Sequence, residues 1–261
     1  MTQPLGVALG EYDTGWHDPA ASLARAREVV RAGARTGAKL VVLPEMCTTG
    51  FTMDAAQAEP LEGPSVRALS ALAAEVKVHL LAGVAVREEA DGTTRAVNGA
   101  LLFSDTGERL AIYRKQRVFA YAGEHEVYTP GTEPVIAEVR GVRVAPLVCY
   151  DLRFPELFRA VAKQVDLIVV IANWPAKRRP HWDALIRARA IENQCYVVAV
   201  NRTGTAGGIT YDGGSAAFDP WGEPLLPAGV AASPGVSCVD VDPARVRAVR
   251  DEYPFLQDCR P

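Results

Sequence analysis

Three polar residues stand at the ends of apolar segments: Glu45 follows VVLP, Lys115 follows LAIYR and Cys149 follows VRVAPLV. Catalytic groups of open α/β sheets gather beyond the carboxyl ends of the strands, so these strand ends can meet in one pocket. A cysteine becomes an effective nucleophile near neutral pH only beside a base or a cation. Glu45 is the residue type to take the thiol proton and pass it to a leaving amine. Lys115 can supply positive charge to a thiolate and to a developing oxyanion. Singly, each has a plainer reading: a solvated loop glutamate, a surface lysine, an inert buried cysteine. His17, His79, His125 and His181 are scattered, and none adjoins a candidate nucleophile, so a Cys–His protease lacks support. H-E-x-x-H, G-x-x-x-x-G-K-[ST] and G-x-S-x-G are absent, the run GGSAA from Gly213 missing the last by one residue.

The elements that must position these residues follow from apolar periodicity. Residues 5–9 and 40–43 read as buried strands, and 19–34 between them as a helix with Leu23, Ala26, Val30 and Ala34 on one face. A second helix spans 64–77, with Pro64 in its first turn. Strands follow at 79–84, 99–103 and 109–113, the last two joined by an Asp105-Thr106-Gly107 hairpin turn. The second half predicts strands at 142–148, 166–172, 196–200, 213–218 and 236–241, with helices at 154–163 and 180–194. The glycines between Gly204 and Gly214 read as a mobile loop, and Arg187 and Arg189 as surface or interface ion-pair residues. No linker, low-complexity tract or repeat interrupts the chain, so 1–261 reads as one domain. Many strands with helices between only some of them suggest two sheets faced by helices, a layered α/β sandwich; a doubly wound single sheet is the alternative.

Composition narrows the function. The 261 residues carry 28 Lys plus Arg against 31 Asp plus Glu, a net charge of −3, and lack the basic footprint of a general nucleic-acid binder. The N-terminus has no basic start, long apolar run or cleavage site of a signal peptide, and no stretch reaches the length of a spanning helix. Cys47, Cys149, Cys195, Cys238 and Cys259 are odd in number and scattered, which is neither a disulfide framework nor a zinc site. A reducing cytoplasm is the expected setting.

LVVLPEMCTTGF around Glu45, IYRKQRVF around Lys115 and LVCYDLRFPELF around Cys149 resemble, in order and spacing, the signature segments of the nitrilase superfamily, the carbon–nitrogen hydrolases. The resemblance extends from LGVALGEYD to GGSAAFDPWGEPL. It implies a four-layer α-β-β-α sandwich completed across a dimer, and a catalytic set of Glu45, Lys115 and Cys149. Glu124 in YAGEHEVYTPG is implied as a second glutamate, with Glu126 close by. The Tyr150 N–H would share the oxyanion with Lys115, and no metal or organic cofactor is required. PEMCTTGF, CYDLRFPEL, ANWP and RARAIENQCYVV look like the omega-amidase branch, which hydrolyses the terminal amide of short 2-oxo acids. A deaminated-glutathione amidase, an N-carbamoyl amide hydrolase, a nitrilase and an inactive scaffold that keeps the fold are the alternatives.

For such a substrate Arg153 is the candidate partner of the carboxylate, its alternative being an ion pair with Glu156. Asn173 and Trp174 are candidate pocket residues, with Phe51 and Tyr121 behind them. Cys47 and Arg117 depart from the pattern beside catalytic positions and are expected to tune substrate preference. Relatives pair through helices near the nucleophile. A homodimer is therefore expected, with Leu157, Phe158, Trp182, Leu185 and Ile186 as its candidate apolar contacts.

Overall fold

The computed structural model describes residues 3–90, 92–226 and 235–259, which form two facing sheets between helices; the outermost residues of the expected 1–261 domain lie outside these. In the first sheet, β1 (Leu5–Gly10), β2 (Leu40–Val42) and β4 (His79–Ala90) run parallel. Its flanks are antiparallel: β5 (Thr93–Phe103) and β6 (Arg109–Arg114) beyond β4, and β14 (Val236–Val241) beyond β1. The short β3 (Glu59–Pro60) adds to β4. In the second sheet, β8 (Val142–Val148), β9 (Leu167–Ala172) and β10 (Tyr196–Asn201) are parallel, with β7 (Ala137–Val139) and β13 (Ala216–Phe218) antiparallel at the edges. Strands β9 and β10 are buried along their whole length, which is why they read as continuous apolar runs rather than alternating ones.

Alternation along β1 assigns the layers. Leu5, Val7 and Leu9 face the second sheet and pack with Leu147, Ile168, Val170 and Val198. Ala8 faces outward against α1 (Pro19–Arg35) and α2 (Pro64–Val76), through Val30, Leu69 and Ala73. On the far side α4 (Pro155–Val161) and α5 (Arg179–Asn193) cover the second sheet, completing an α-β-β-α sandwich. Asp18 caps α1 by accepting from Ala21 N at 3.0 Å, with Pro19 in its first turn. Of the apolar residues expected at a dimer contact, Leu157, Phe158, Trp182 and Ile186 are buried in this core and Leu185 packs against it. They are occupied by the chain's own sheet.

Two other expectations are corrected. The glycine-rich stretch 204–214 is a hairpin, β11 (Thr203–Ala206) and β12 (Ile209–Asp212), in antiparallel register. Buried Arg202 anchors it: its guanidinium lies 4.7 Å from the Tyr211 ring centroid and 2.5 Å from Asp13 Oδ1. The expected strand 213–218 begins only at Ala216, since Gly213 and Gly214 have φ of 69° and 83°. Unread from sequence were α3 (Glu124–Val127) and α6 (Pro243–Glu252).

The sheets also fix where Glu45 stands. A Cβ built on Gly83 of β4 would come within 2.5 Å of Glu45 Cα and 2.7 Å of Met46 N. Only glycine lets the two backbones approach this closely. We expect Gly83→Ala to lower stability by about 1–3 kcal/mol, as overpacking does, and to slow turnover because the Glu45 backbone must yield. Denaturant unfolding alongside steady-state kinetics checks this; wild-type values for both would mean the strand moves instead.

Candidate active site

Strands β2, β6, β8 and β9 all end on one side of the sandwich, and each end delivers a candidate functional residue. Past β2 the chain turns sharply: Glu45 is followed by Met46 at φ 41°, with the Cys47 N–H donating to Gly83 O at 2.8 Å. Past β6, the Lys115 N–H continues the ladder to Asn98 O at 2.9 Å. Past β8, Cys149 sits at φ 47° at the head of the 3-10 turn Cys149–Arg153. Past β9 come Asn173 and Trp174, and α3 brings Glu124 across the end.

Glu45, Lys115 and Glu124 are each at most 1% exposed and form one ion cluster. Lys115 Nζ donates to Glu45 Oε1 at 3.0 Å and to Glu124 Oε1 and Oε2 at 3.0 and 2.8 Å. Buried charges are costly unless paired and fully hydrogen-bonded, and here every carboxylate oxygen has donors. Asn98 Nδ2 donates to Glu45 Oε1 at 2.7 Å and to Glu124 Oε1 at 2.9 Å. Asn173 N donates to Glu45 Oε2 at 2.8 Å, and Phe119 N to Glu124 Oε2 at 2.5 Å. Glu126, the alternative second glutamate, is exposed and nearest His125.

These contacts set the resting charges. Burial pushes the Glu45 carboxyl up, but Lys115, Asn98 and the Asn173 N–H together hold it below its ordinary value. Burial works against the Lys115 ammonium, yet Glu124 and Glu45 raise it above the usual lysine range. Burial lifts the Cys149 thiol well above its ordinary value; the Glu45 carboxylate adds to this and Lys115 opposes it. The site therefore rests as thiol, carboxylate and ammonium, an arrangement in which Glu45 can accept the thiol proton.

Asp151 ties two of the strand ends together. Its carboxylate accepts from Val148 N at 2.9 Å, Arg117 N at 2.8 Å and Tyr113 Oη at 2.8 Å. Burial lifts its pKa to about 6, against the pull of those donors and Lys115. Buried Arg189 holds the same turn from α5, donating to Leu152 O at 2.8 and 3.1 Å; it makes the expected ion pair, with Glu192 at 2.9 Å, but from a buried position rather than the helix surface. Asp151 lies inside the segment LVCYDLRFPELF, but the sequence reading gives it no role. Asn98 carries no motif, a lone asparagine in an apolar strand.

The cluster opens onto a cavity of about 280 Å³. Cys149, Lys115, Tyr150, Asn173, Trp174 and Arg153 line it, as anticipated, with Phe51 beneath Lys115 at 5.2 Å. Tyr121 is 90% exposed and forms its rim. Arg178 and Tyr211, unanticipated, also line the wall. Glu156 pairs with Arg117 at 3.3 Å, not with Arg153. Cys47 is buried away from the cavity, among the residues packed against the first sheet's outer face, with its thiol pushed up to about 12 by burial.

The sequence pattern of the carbon-nitrogen hydrolases matches residues 6–251. The omega-amidase YafV of Escherichia coli (strain K12) is 38% identical over 225 residues, 86% of this chain and 85% of that protein. The 2-oxoglutaramate amidase of Bacillus subtilis (strain 168) is 33% identical over 260 residues, 97% of each chain. Among solved structures, XC1258 from Xanthomonas campestris, described as a CN-hydrolase superfamily protein with an arsenic adduct in its active site, superposes with a TM-score of 0.90. It is 32% identical, and the match covers 99% of this chain and 98% of that one.

Proposed function

Since the chain belongs to the carbon-nitrogen hydrolase family and is an amide-hydrolysing enzyme, we propose that its substrates are the omega-amides of short 2-oxo dicarboxylic acids, 2-oxoglutaramate and 2-oxosuccinamate. The observation that carries this is a Glu–Lys–Cys cluster at the floor of a cavity with guanidiniums in its wall. At about 280 Å³ it falls just under the range of drug-sized pockets, roughly 300–1,000 Å³, which suits a short substrate better than a tripeptide-sized one. The relatives named omega-amidase and 2-oxoglutaramate amidase support the same reading.

In this reading Cys149 attacks the amide carbon while Glu45 takes the thiol proton. Lys115 and the Tyr150 N–H hold the oxyanion. Glu45 returns the proton to the leaving nitrogen, ammonia departs and a thioester remains on Cys149. Water then gives a proton to Glu45 and attacks the thioester, releasing the acid and restoring the thiol. Glu124 holds Lys115 in place. Ammonia release from a panel of 2-oxo acid omega-amides, a neutral amide, a nitrile and an N-carbamoyl amine tests the assignment. The omega-amides are expected to lead; a nitrile or N-carbamoyl substrate in that place would overturn it.

Arg153 is the proposed partner of the substrate carboxylate. Losing a charge-assisted contact of this kind costs roughly 30-fold or more in kcat/KM. Arg153→Ala should show that loss on the omega-amide and a much smaller one on a neutral amide of equal length. Equal losses on both would make Arg153 structural.

The protein is further proposed to act in the cytoplasm, where the free thiols of all five cysteines persist, and as a homodimer. With the expected apolar contacts buried, pairing is assigned instead to the exposed apolar strip beside α5. There Ile191 is 48% exposed, Trp221 43% and Phe255 57%, with the Trp221 and Tyr253 rings packed at a tilt, centroids 4.7 Å apart. Light scattering should give twice the 28.0 kDa of one chain; a single-chain mass at micromolar concentration would contradict pairing.

A further inference from the structure

Two guanidiniums line the cavity, and they arrive from different loops. Arg153 closes the 3-10 turn that begins at Cys149, and Arg178 ends the 3-10 turn Ala176–Arg178 that precedes α5. Neither is paired with a carboxylate among the described residues. Arginines close by are otherwise committed: Arg179 to Asp183 at 2.7 Å, Arg202 to Asp13 at 2.5 Å, Arg117 to Glu156 at 3.3 Å.

Aromatic faces hold the two in place. Arg153 lies over the Trp174 ring at 4.9 Å, with Nη2 3.0 Å from His181 Nδ1. Arg178 lies over the Phe119 ring at 5.2 Å, and its carbonyl accepts from Trp174 Nε1 at 2.8 Å, pinning the turn. Stacking fixes a guanidinium plane without consuming its N–H donors.

Charge shows what the two forks are for. Lys115, Glu45 and Glu124 leave one net negative charge at the buried end of the site. That charge repels an anionic substrate unless the cavity wall reverses the field, and two guanidiniums do so. We infer that Arg178 is a second specificity-determining residue, forming with Arg153 a two-guanidinium clamp on the carboxylate and adjacent oxo group of a 2-oxo acid. The inference rests on the omega-amidase reading. It adds that the head group is gripped from both sides of the cavity, and that a half-amide without the 2-oxo group fills the clamp only in part.

The test measures kcat and KM on a 2-oxo acid omega-amide, the corresponding half-amide lacking the oxo group and a neutral amide of equal length. The proteins are the wild type, Arg178→Ala, Arg178→Lys, Arg153→Ala and the double variant. In Arg178→Ala the preference for the 2-oxo substrate over the neutral amide should fall at least about tenfold, through KM. Arg178→Lys, which keeps the charge but loses the fork, should recover part of it. The double variant should depart from the product of the single effects, because both residues hold one head group. An independent binding readout is protection of Cys149 from iodoacetamide by a short 2-oxo dicarboxylate, which should weaken in Arg178→Ala. Unaltered preference and protection in Arg178→Ala would overturn the clamp and leave the omega-amidase reading standing. Equal losses on all three substrates would make Arg178 structural and overturn the clamp. A wild-type protein with no preference for the anionic substrates would overturn both.

Discussion

Replacing Cys149 with alanine should abolish ammonia release and leave the fold in place. As the proposed nucleophile, Cys149 accounts for the whole covalent route, and losses on removing such a group reach about 10,000-fold or more. The fold should survive because the side chain carries little structure. It is partly accessible at the cavity floor, and its thiol makes only a long, 3.9 Å approach to Asn173 O besides its interaction with Glu45. The turn is held by other groups, the Asp151 carboxylate on Val148 N and Arg117 N and the Arg189 guanidinium on Leu152 O. A folded Cys149→Ala protein, judged by circular dichroism and an unchanged unfolding midpoint, that still turned over at the wild-type rate would remove Cys149 from the reaction.

Glu45→Gln should cost at least about 100-fold in kcat, the scale of a positioned acid–base group. The substitution keeps the shape and removes the proton acceptor. With the thiol pushed well above its ordinary value, chiefly by burial, no other group beside the sulfur can take its proton: Lys115 is held as an ammonium and Glu124 is turned to Lys115 and the Phe119 N–H. The amide has a second consequence. Lys115 Nζ and Asn98 Nδ2 donate to one Glu45 oxygen and Asn173 N to the other. A glutamine can accept on only one side, so at least one donor is left facing an NH₂ group, at about 1–3 kcal/mol each. Kinetics well below the unfolding transition separate the effects. Wild-type kcat in the folded variant would exclude Glu45 as the base.

The parts of this molecule that sequence makes legible are those where periodicity and burial coincide. Strands β9 and β10 are buried along their whole length, and β8 everywhere but at Arg143, so they announce themselves as apolar runs; α1 shows its core face through Ala26 and Val30. Legibility fades where pairing runs past the core. β4 and β5 extend to Ala90 and back from Thr93, well beyond the expected 79–84 and 99–103, because their far ends pair with each other through residues such as Arg87, Glu88 and Glu89. Cross-strand hydrogen bonds hold that ribbon, and no apolar pattern records it. The β11–β12 hairpin was hidden by its glycines and depends on Arg202 and Asp13, which are distant in sequence. In the site, Glu45, Lys115 and Cys149 were legible as residue types at strand ends. Asn98 and Arg178 were not, because their roles arise only when separate loops and strands converge.

The central claim is that amide hydrolysis passes through a thioester on Cys149 that has already lost its leaving group. The most direct test is the partition of that intermediate between water and added hydroxylamine, measured for an omega-amide and for the omega-methyl ester of the same acid. A shared acyl-enzyme predicts the same ratio of hydroxamate to acid from both substrates at every hydroxylamine concentration, although ammonia leaves in one case and methanol in the other. Ratios that change with the leaving group would show that the two substrates share no such intermediate, and would contradict the account.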